Sequence, residues 1–187
     1  MDAHDLPLLG ESLPLELANT RYGDPDDAGA RIDFLARPES ARAWLVHVHG
    51  LSARPPHLDD ADHRALVELR DAVAELLAAP HPAPPPPTVI ATLNAAAQRG
   101  RVHQRLGWGP EGPCIERVAC GAPMDEVIRQ LADATFAWLC GPDRARTRRC
   151  AAPDCWMWFV AHHRRRRFCH PTCSGRDRQT RFRQRSS

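Results

Sequence analysis

Lysine is missing from this 187-residue sequence, and all 25 of its Lys-or-Arg positions are arginine. Together with the abundant Ala and Pro, that uniformity marks a GC-rich coding sequence, so Arg in place of Lys is not by itself a sign of phosphate recognition. Also missing is any apolar run approaching the ~20 residues that span a bilayer, which excludes a membrane partner of that kind. The start, MDAHDLPLLGESLP, is acidic and has no long apolar stretch, so no signal peptide is expected and the chain reads as cytoplasmic. In a reducing compartment its cysteines are expected as thiols rather than disulfides. Nothing upstream of residue 144 forms a catalytic constellation, and the chain reads as a non-enzyme.

What is present is unevenly divided. Residues 1–143 hold 12 Arg against 21 Asp and Glu, a net −9, whereas residues 144–187 hold 13 Arg against 2 Asp, a net +11. The formal total of +2 therefore hides an acidic body with a strongly basic tail, the asymmetry of a polyanion-binding appendage. The expected organisation is a helical regulatory domain over 1–143 followed by a small module over 144–187.

Four of the seven cysteines lie in the tail as two close pairs, Cys150 with Cys155 and Cys169 with Cys173. Their pattern is C-x4-C, thirteen residues, then C-x3-C. Each pair can bring two thiolates to one ion from a tight turn, and the intervening stretch is long enough to fold back and complete a tetrahedron, so one structural Zn2+ is expected. The alternative, four ordinary core thiols, is disfavoured because Asp and Arg dominate the surroundings and leave a sulfur little apolar core. Four Cys leave no open position for a catalytic water, which argues again against a metalloenzyme; His162, His163 and His170 read as solvated rather than as substitute ligands. Pro171 suits the first turn of a helix that would present Cys173 from its N-terminus, while Trp156, Trp158 and Phe159 would form a strand covering one side of the metal.

The candidate nucleic-acid surface is the run Arg164, Arg165, Arg166 and Arg167 together with Arg176, Arg178, Arg181, Arg183 and Arg185 on that helix. Arg178, Arg181 and Arg185 share one helical face. Arg forks match phosphate oxygens and can bracket guanine edges, so DNA is the expected partner. A charge run can also be only a solvated face. RNA stays open through stacking on Trp156 or Trp158, as does an acidic protein docked by a zinc-stabilised adaptor.

The body reads as mainly α with a small β-hairpin. LPLELANT is a short element of uncertain type and RYGDPDDAGAR a loop. Helices are expected from Pro38 to about His49 with Gly50 as the stop, and from about Asp62 to Ala79. A polyproline linker PHPAPPPP follows, then a helix from Thr88, as its cap, to Gly100. RVHQRLGW and CIERVAC form the hairpin, with Cys114 and Cys120 as possible cross-strand neighbours. The clearest amphipathic helix spans Met124 to Cys140. His47 and His49 spell a familiar ligand pair but cannot chelate one ion from a helix.

CAAPDC, RRRRFC and the second cysteine pair followed by Ser174, Gly175 and Arg176 resemble the CGNR-type zinc finger. LPLELANT, Asp33-Phe34-Leu35 with Trp44, LVELRDAVAELL and TLNAAA are similar in order and spacing to the ABATE domain that precedes this finger in bacterial proteins regarded as stress-induced transcription regulators. The resemblance implies a finger bound to DNA and an N-terminal domain that senses a ligand or makes a homo-oligomer. It also implies that Glu16, Asn19 and Thr20 line a cleft, although packing and turn chemistry are the first reading of those three. The eponymous Cys-Gly-Asn-Arg reads Cys173-Ser174-Gly175-Arg176 here, and Val160 and Ala161 occupy a region where an acidic residue is usual. Neither departure removes a metal ligand.

Overall fold

The computed structural model describes residues 6–23, 30–51, 57–79 and 84–185. It is mainly helical, with three two-stranded antiparallel sheets among the described residues. In order, the elements are α1 (Leu13–Ala18), β1 (Arg21–Gly23), β2 (Arg31–Asp33), a 3-10 turn (Phe34–Ala36), α2 (Pro38–His47), α3 (Asp60–Ala78), α4 (Pro87–Ala97), β3 (Arg101–Gly109), β4 (Gly112–Cys120), α5 (Pro123–Cys140), α6 (Asp143–Arg146), β5 (Thr147–Arg149), β6 (Trp158–Val160) and α7 (Pro171–Arg185).

LPLELA is helical although its leucines alternate. Five of its six residues, all but Leu13, are buried, so neither a period of two nor one of 3.6 separates an inner from an outer face. Helix α1 sits between α3 and α5, and α4 closes the opposite side of the same pair. Leu66, Leu69, Val73 and Leu76 of α3 meet Leu15 and Leu17 of α1, Val89 and Leu93 of α4, and Ile128 and Leu131 of α5 in one core. Each such side chain contributes about 1.5–3 kcal/mol when fully buried.

Several boundaries differ from those expected. Helix α3 begins at Asp60 because the Asp59 carboxylate accepts from the Asp62 N–H at 2.8 Å, capping it two residues early. Helix α4 begins at Pro87, without a side-chain cap from Thr88, since proline at the first position needs no N–H partner, and it ends at Ala97 rather than Gly100. Helix α2 stops at His47, with Val48 already extended, and the His47 ring binds the Ala43 carbonyl at 2.8 Å. Arg21 to Gly23 and Arg31, expected within a loop, belong to strands: Arg21–Gly23 pairs as β1 with Arg31–Asp33 as β2; residues 24–29 between them lie outside the described part, as do 80–83 of the proline linker.

The hairpin forms, but Cys114 and Cys120 both lie on β4 and face Gly107 and Arg101 in register. They are therefore not cross-strand neighbours of each other.

An ion-pair network centred on the buried Arg70 fixes β2 to α3. Arg70, wholly buried, donates to Asp33 at 2.6 and 3.0 Å and to Asp71 at 2.6 Å, and Arg21 reaches Asp33 at 3.0 Å. Asp33 also caps the 3-10 turn through the Leu35 N–H. Burial pushes the Asp33 carboxyl up, yet the bonds from Arg70 and Arg21 outweigh it and hold the group below the usual carboxylate range.

Candidate metal centre and basic surface

The tail begins with a single short helix, α6, and runs straight into β5. Trp138 of α5 donates from Nε1 to the Thr147 hydroxyl at 3.0 Å, and that hydroxyl donates to the Asp143 carbonyl at 2.8 Å, so the junction is tied at both ends. Strand β5 pairs with β6 as Thr147 with Val160, Arg148 with Phe159 and Arg149 with Trp158. The strand starts at Trp158; Trp156, expected within it, lies just before.

Between the strands, residues 150–155 make the first cysteine turn. Asp154 adopts φ 58, a left-handed conformation that Asp tolerates, and the Cys155 N–H meets the Ala152 carbonyl at 3.3 Å. The second pair straddles the start of α7: Pro171 opens the helix, and the Cys173 N–H reaches the His170 carbonyl at 3.1 Å.

These two turns bring Cys150, Cys155, Cys169 and Cys173 together, all buried, with their sulfurs within 4.8 Å of one another. Three of the separations are 3.7 Å (Cys155–Cys169), 3.6 Å (Cys169–Cys173) and 3.8 Å (Cys155–Cys173). A tetrahedron with metal–sulfur bonds of about 2.3 Å has edges of about 3.8 Å, so the donors already stand at the spacing of a ZnS4 site. A disulfide, with sulfurs about 2 Å apart, is a different geometry.

The protonation of the cluster points the same way. Hydrogen bonds from Cys155 and Cys169 pull Cys150 down to about 2, while the same bond to Cys150 pushes Cys155 up to about 12; Cys169 is raised by its bonds to Cys150 and Cys155. Four crowded thiols cannot all ionise without a cation among them. A divalent ion supplies it, and one structural zinc fits this donor set.

N–H donors surround the sulfurs: the Cys169 backbone reaches Cys150 at 3.4 Å and Arg176 Nη2 reaches Cys173 at 3.4 Å. Ala152, Phe159, Ala161, Met157, Phe168 and Leu9 pack against the cluster. The sulfurs thus do have a small apolar core, contrary to the expectation drawn from the Asp and Arg content, because Arg164, Arg165 and Arg167 of the loop are exposed and the body contributes Leu9.

A family model described as "Putative stress-induced transcription regulator", ABATE, matches residues 11–142, and a CGNR zinc finger model matches 146–186. The chain belongs to the ABATE family and carries a CGNR zinc finger. No curated protein matches it.

The finger of this ABATE protein is docked, not tethered. Asn19 pairs with the Trp158 backbone in both directions, donating to its carbonyl at 2.9 Å and accepting its N–H at 2.7 Å. Glu11 accepts the Val160 N–H at 3.1 Å. The Trp156 ring is sandwiched by Arg31 of β2 at 3.6 Å and Arg149 of β5 at 3.8 Å. Gly23 approaches so closely that a Cβ there would stand 1.9 Å from the Asp154 carbonyl oxygen. None of these contacts is legible in the sequence: Gly23 reads there as a loop residue, and Asn19 as a member of LPLELANT expected in a turn or a cleft.

The three polar residues of the first motif take separate positions. Thr20 donates to the Leu17 carbonyl at 2.7 Å, and Asn19 is committed to Trp158. Glu16 accepts from the Leu9 and Glu11 N–H groups and borders a cavity of about 280 Å³ with Leu8, Val48 and His49. Burial first, aided by repulsion from Glu11, raises its carboxyl to about 6 despite those hydrogen bonds.

The arginines divide in the same way. Arg164, Arg165, Arg167, Arg178, Arg181, Arg183 and Arg185 are exposed, with Arg181 bonded to Asp177 at 2.5 Å. Arg166 turns inward: it donates to the carbonyls of Phe168, Val160 and Cys169, lies over Phe159 at 4.6 Å, and pairs with Glu11 at 3.6 Å. Arg176 is bonded to the Cys173 sulfur, which holds its guanidinium more firmly protonated. Those two belong to the scaffold of the finger, which the spacing of arginines alone does not reveal.

Proposed function

We propose that this chain is a non-enzymatic transcription regulator whose C-terminal module, residues 144–187, binds DNA through its exposed arginines, with residues 1–143 supplying regulation. The observation that carries the reading is the segregation of charge onto a metal-ordered surface. Arg164, Arg165 and Arg167 on the loop and Arg178, Arg181 and Arg185 on α7 are all solvent-facing, while Arg166 and Arg176 hold the scaffold beneath them. Exposed Arg forks on a rigid frame suit phosphate contacts and guanine edges. No helix among the described residues is long and apolar enough to cross a membrane.

The regulatory input fits the seam between body and finger. A cavity of about 330 Å³ is lined there by Leu9, Tyr22, Met157, Thr172 and Arg176, beside the sulfurs of Cys155, Cys169 and Cys173. A ligand seated in it would touch both parts at once and bias the finger's set against the body.

Docking to an acidic protein is the second reading, favoured by one observation: Arg166 already pairs with Glu11 of the acidic body. DNA binding measured by fluorescence anisotropy, as a function of salt, separates the two. With about six phosphate contacts, affinity for DNA falls by roughly 10³ between 50 and 200 mM salt. Absence of any DNA complex at low salt leaves the adaptor reading standing instead.

A further inference from the structure

The β3–β4 ribbon is the one large element whose extensive packing, among the described residues, is only with itself. Its register sorts the residues into two faces. Arg105 and Glu116 sit opposite each other on one face, joined at 2.6 Å. On the other face Leu106 pairs with Ile115, and Trp108 with Pro113. Trp108 is 77 % exposed, Leu106 73 % and Ile115 70 %, and none of the three joins the core. An amphipathic ribbon with its apolar side outward is a surface awaiting a partner, since single exposed apolar residues are ordinary but adjacent large ones are not.

We infer that this apolar face is where a second copy of the chain docks, ribbon against ribbon, about a twofold axis. Three features select a second copy over other occupants. First, the face is self-complementary. With the axis between the two rows, each copy's branched Leu106–Ile115 row lies on the other's flat Trp108–Pro113 row, and every large apolar side chain is covered by an isologous contact. Second, the area approaches what a dimer needs. The three side chains offer on the order of 400 Å² per copy. Two copies then bury on the order of 800 Å² before Pro113 and the strands are counted, near the ~1,000 Å² of a specific interface. Third, the charge permits it. Residues 101–120 hold 3 Arg and 2 Glu, a net +1, whereas the tail at +11 would repel its own copy. A ribbon with a net charge of only +1 equally lacks the dense positive charge that a nucleic acid requires. The ribbon also gains from the partner, because a two-stranded hairpin alone is marginal in water.

The arrangement places two basic fingers in one particle. It does not depend on the DNA reading, and its test contains no DNA. Sedimentation equilibrium of the full-length, zinc-loaded chain is expected to give twice the 20.8 kDa chain mass in the micromolar range. Trp108→Ser combined with Leu106→Ser is expected to raise the dimer dissociation constant at least about thirtyfold, the effect of removing a buried aromatic anchor. Far-ultraviolet circular dichroism and zinc content stay unchanged, since the ribbon lies outside the core. Amide exchange supplies a readout on the unmodified chain: protection of residues 101–120 should rise with protein concentration while that of α3 does not. A monomer at all concentrations, a dimer unaffected by the double substitution, or ribbon protection independent of concentration each overturns the proposal. So does a ribbon face that is covered only by a different protein.

Discussion

Asn19 and Trp158, 139 positions apart, exchange two hydrogen bonds, so that one side-chain amide acts as a short strand beside β6 and locks the finger to α1. Asn19→Ala leaves both polar groups of the Trp158 peptide without this partner at a half-buried seam. The expected loss is on the order of 2–3 kcal/mol in urea unfolding. Asn19→Asp keeps the acceptor but sets a buried carboxylate against the Trp158 carbonyl, and should cost at least as much as Asn19→Ala. If Asn19→Ala unfolds at the wild-type midpoint, the seam does not hold the finger.

Removing the metal should unfold the tail while sparing the helical body. Chelation, or Ser at Cys150, Cys155, Cys169 or Cys173, is expected to release one zinc per chain and abolish protease resistance after residue 144. The helix signal from α3 and α5 should persist, because their core is built mainly from leucines, Val73 and Ile128, the finger adding only Val160 with Trp158 packed against it. Metal analysis with limited proteolysis reads both. Retention of one zinc in all four single variants would contradict the tetrathiolate site.

Two carboxylates give opposite pH dependences. Asp33 has its pKa lowered in the folded state, so it contributes stability above its unfolded value, near 4, and loses it as pH falls through the lower folded value. Glu16 is raised to about 6, so its contribution is full below its unfolded value, near 4.5, and disappears as pH rises through about 6. Chemical denaturation from pH 3 to 8 should therefore show an acid loss that Asp33→Asn reduces and a decline between about pH 4.5 and 6 that Glu16→Gln flattens. Arg70→Ala is expected to cost on the order of 1.5–3 kcal/mol, the worth of its charge-assisted hydrogen bonds to Asp33 and Asp71, both of which stay partly exposed and keep Arg21.

Arg166 and Arg178 should separate stability from binding. Arg166→Ala removes contacts to three carbonyls, Phe159 and Glu11, and is expected to lower the finger's thermal midpoint. Arg178→Ala should leave that midpoint unchanged and instead reduce the slope of log affinity against log salt by about 1. A stability loss in Arg178→Ala would show that the exposed face also serves the fold.

The metal ligands, the basic helix and the division of charge were legible because each depends on a short-range pattern: cysteine spacing, Pro171 at a helix start, and arginines at i, i+3 and i+7. The long helices α3 and α5 were legible for the same reason, through leucine periodicity. What stayed hidden is tertiary. Alternating leucines in α1 gave no direction because the helix is buried on nearly every side. Gly23 reads as loop glycine until Asp154 is seen against it, and Arg166 looks like its three neighbours in RRRR until the loop turns it onto Phe159. The RYG and RID strands were missed because a three-residue strand carries no period to read.

In the proposed function a zinc-ordered finger presents arginines to DNA. Its most direct test is anisotropy titration of the full-length chain against mixed-sequence duplex DNA in low salt, with the Arg178→Ala plus Arg181→Ala variant alongside. The account predicts a complex that weakens by roughly 10³ between 50 and 200 mM salt. It also predicts that the complex is lost on chelation and is weakened at least about tenfold in the double variant, which removes two phosphate contacts. No complex at low salt, or one that survives both chelation and the double substitution undiminished, would contradict it.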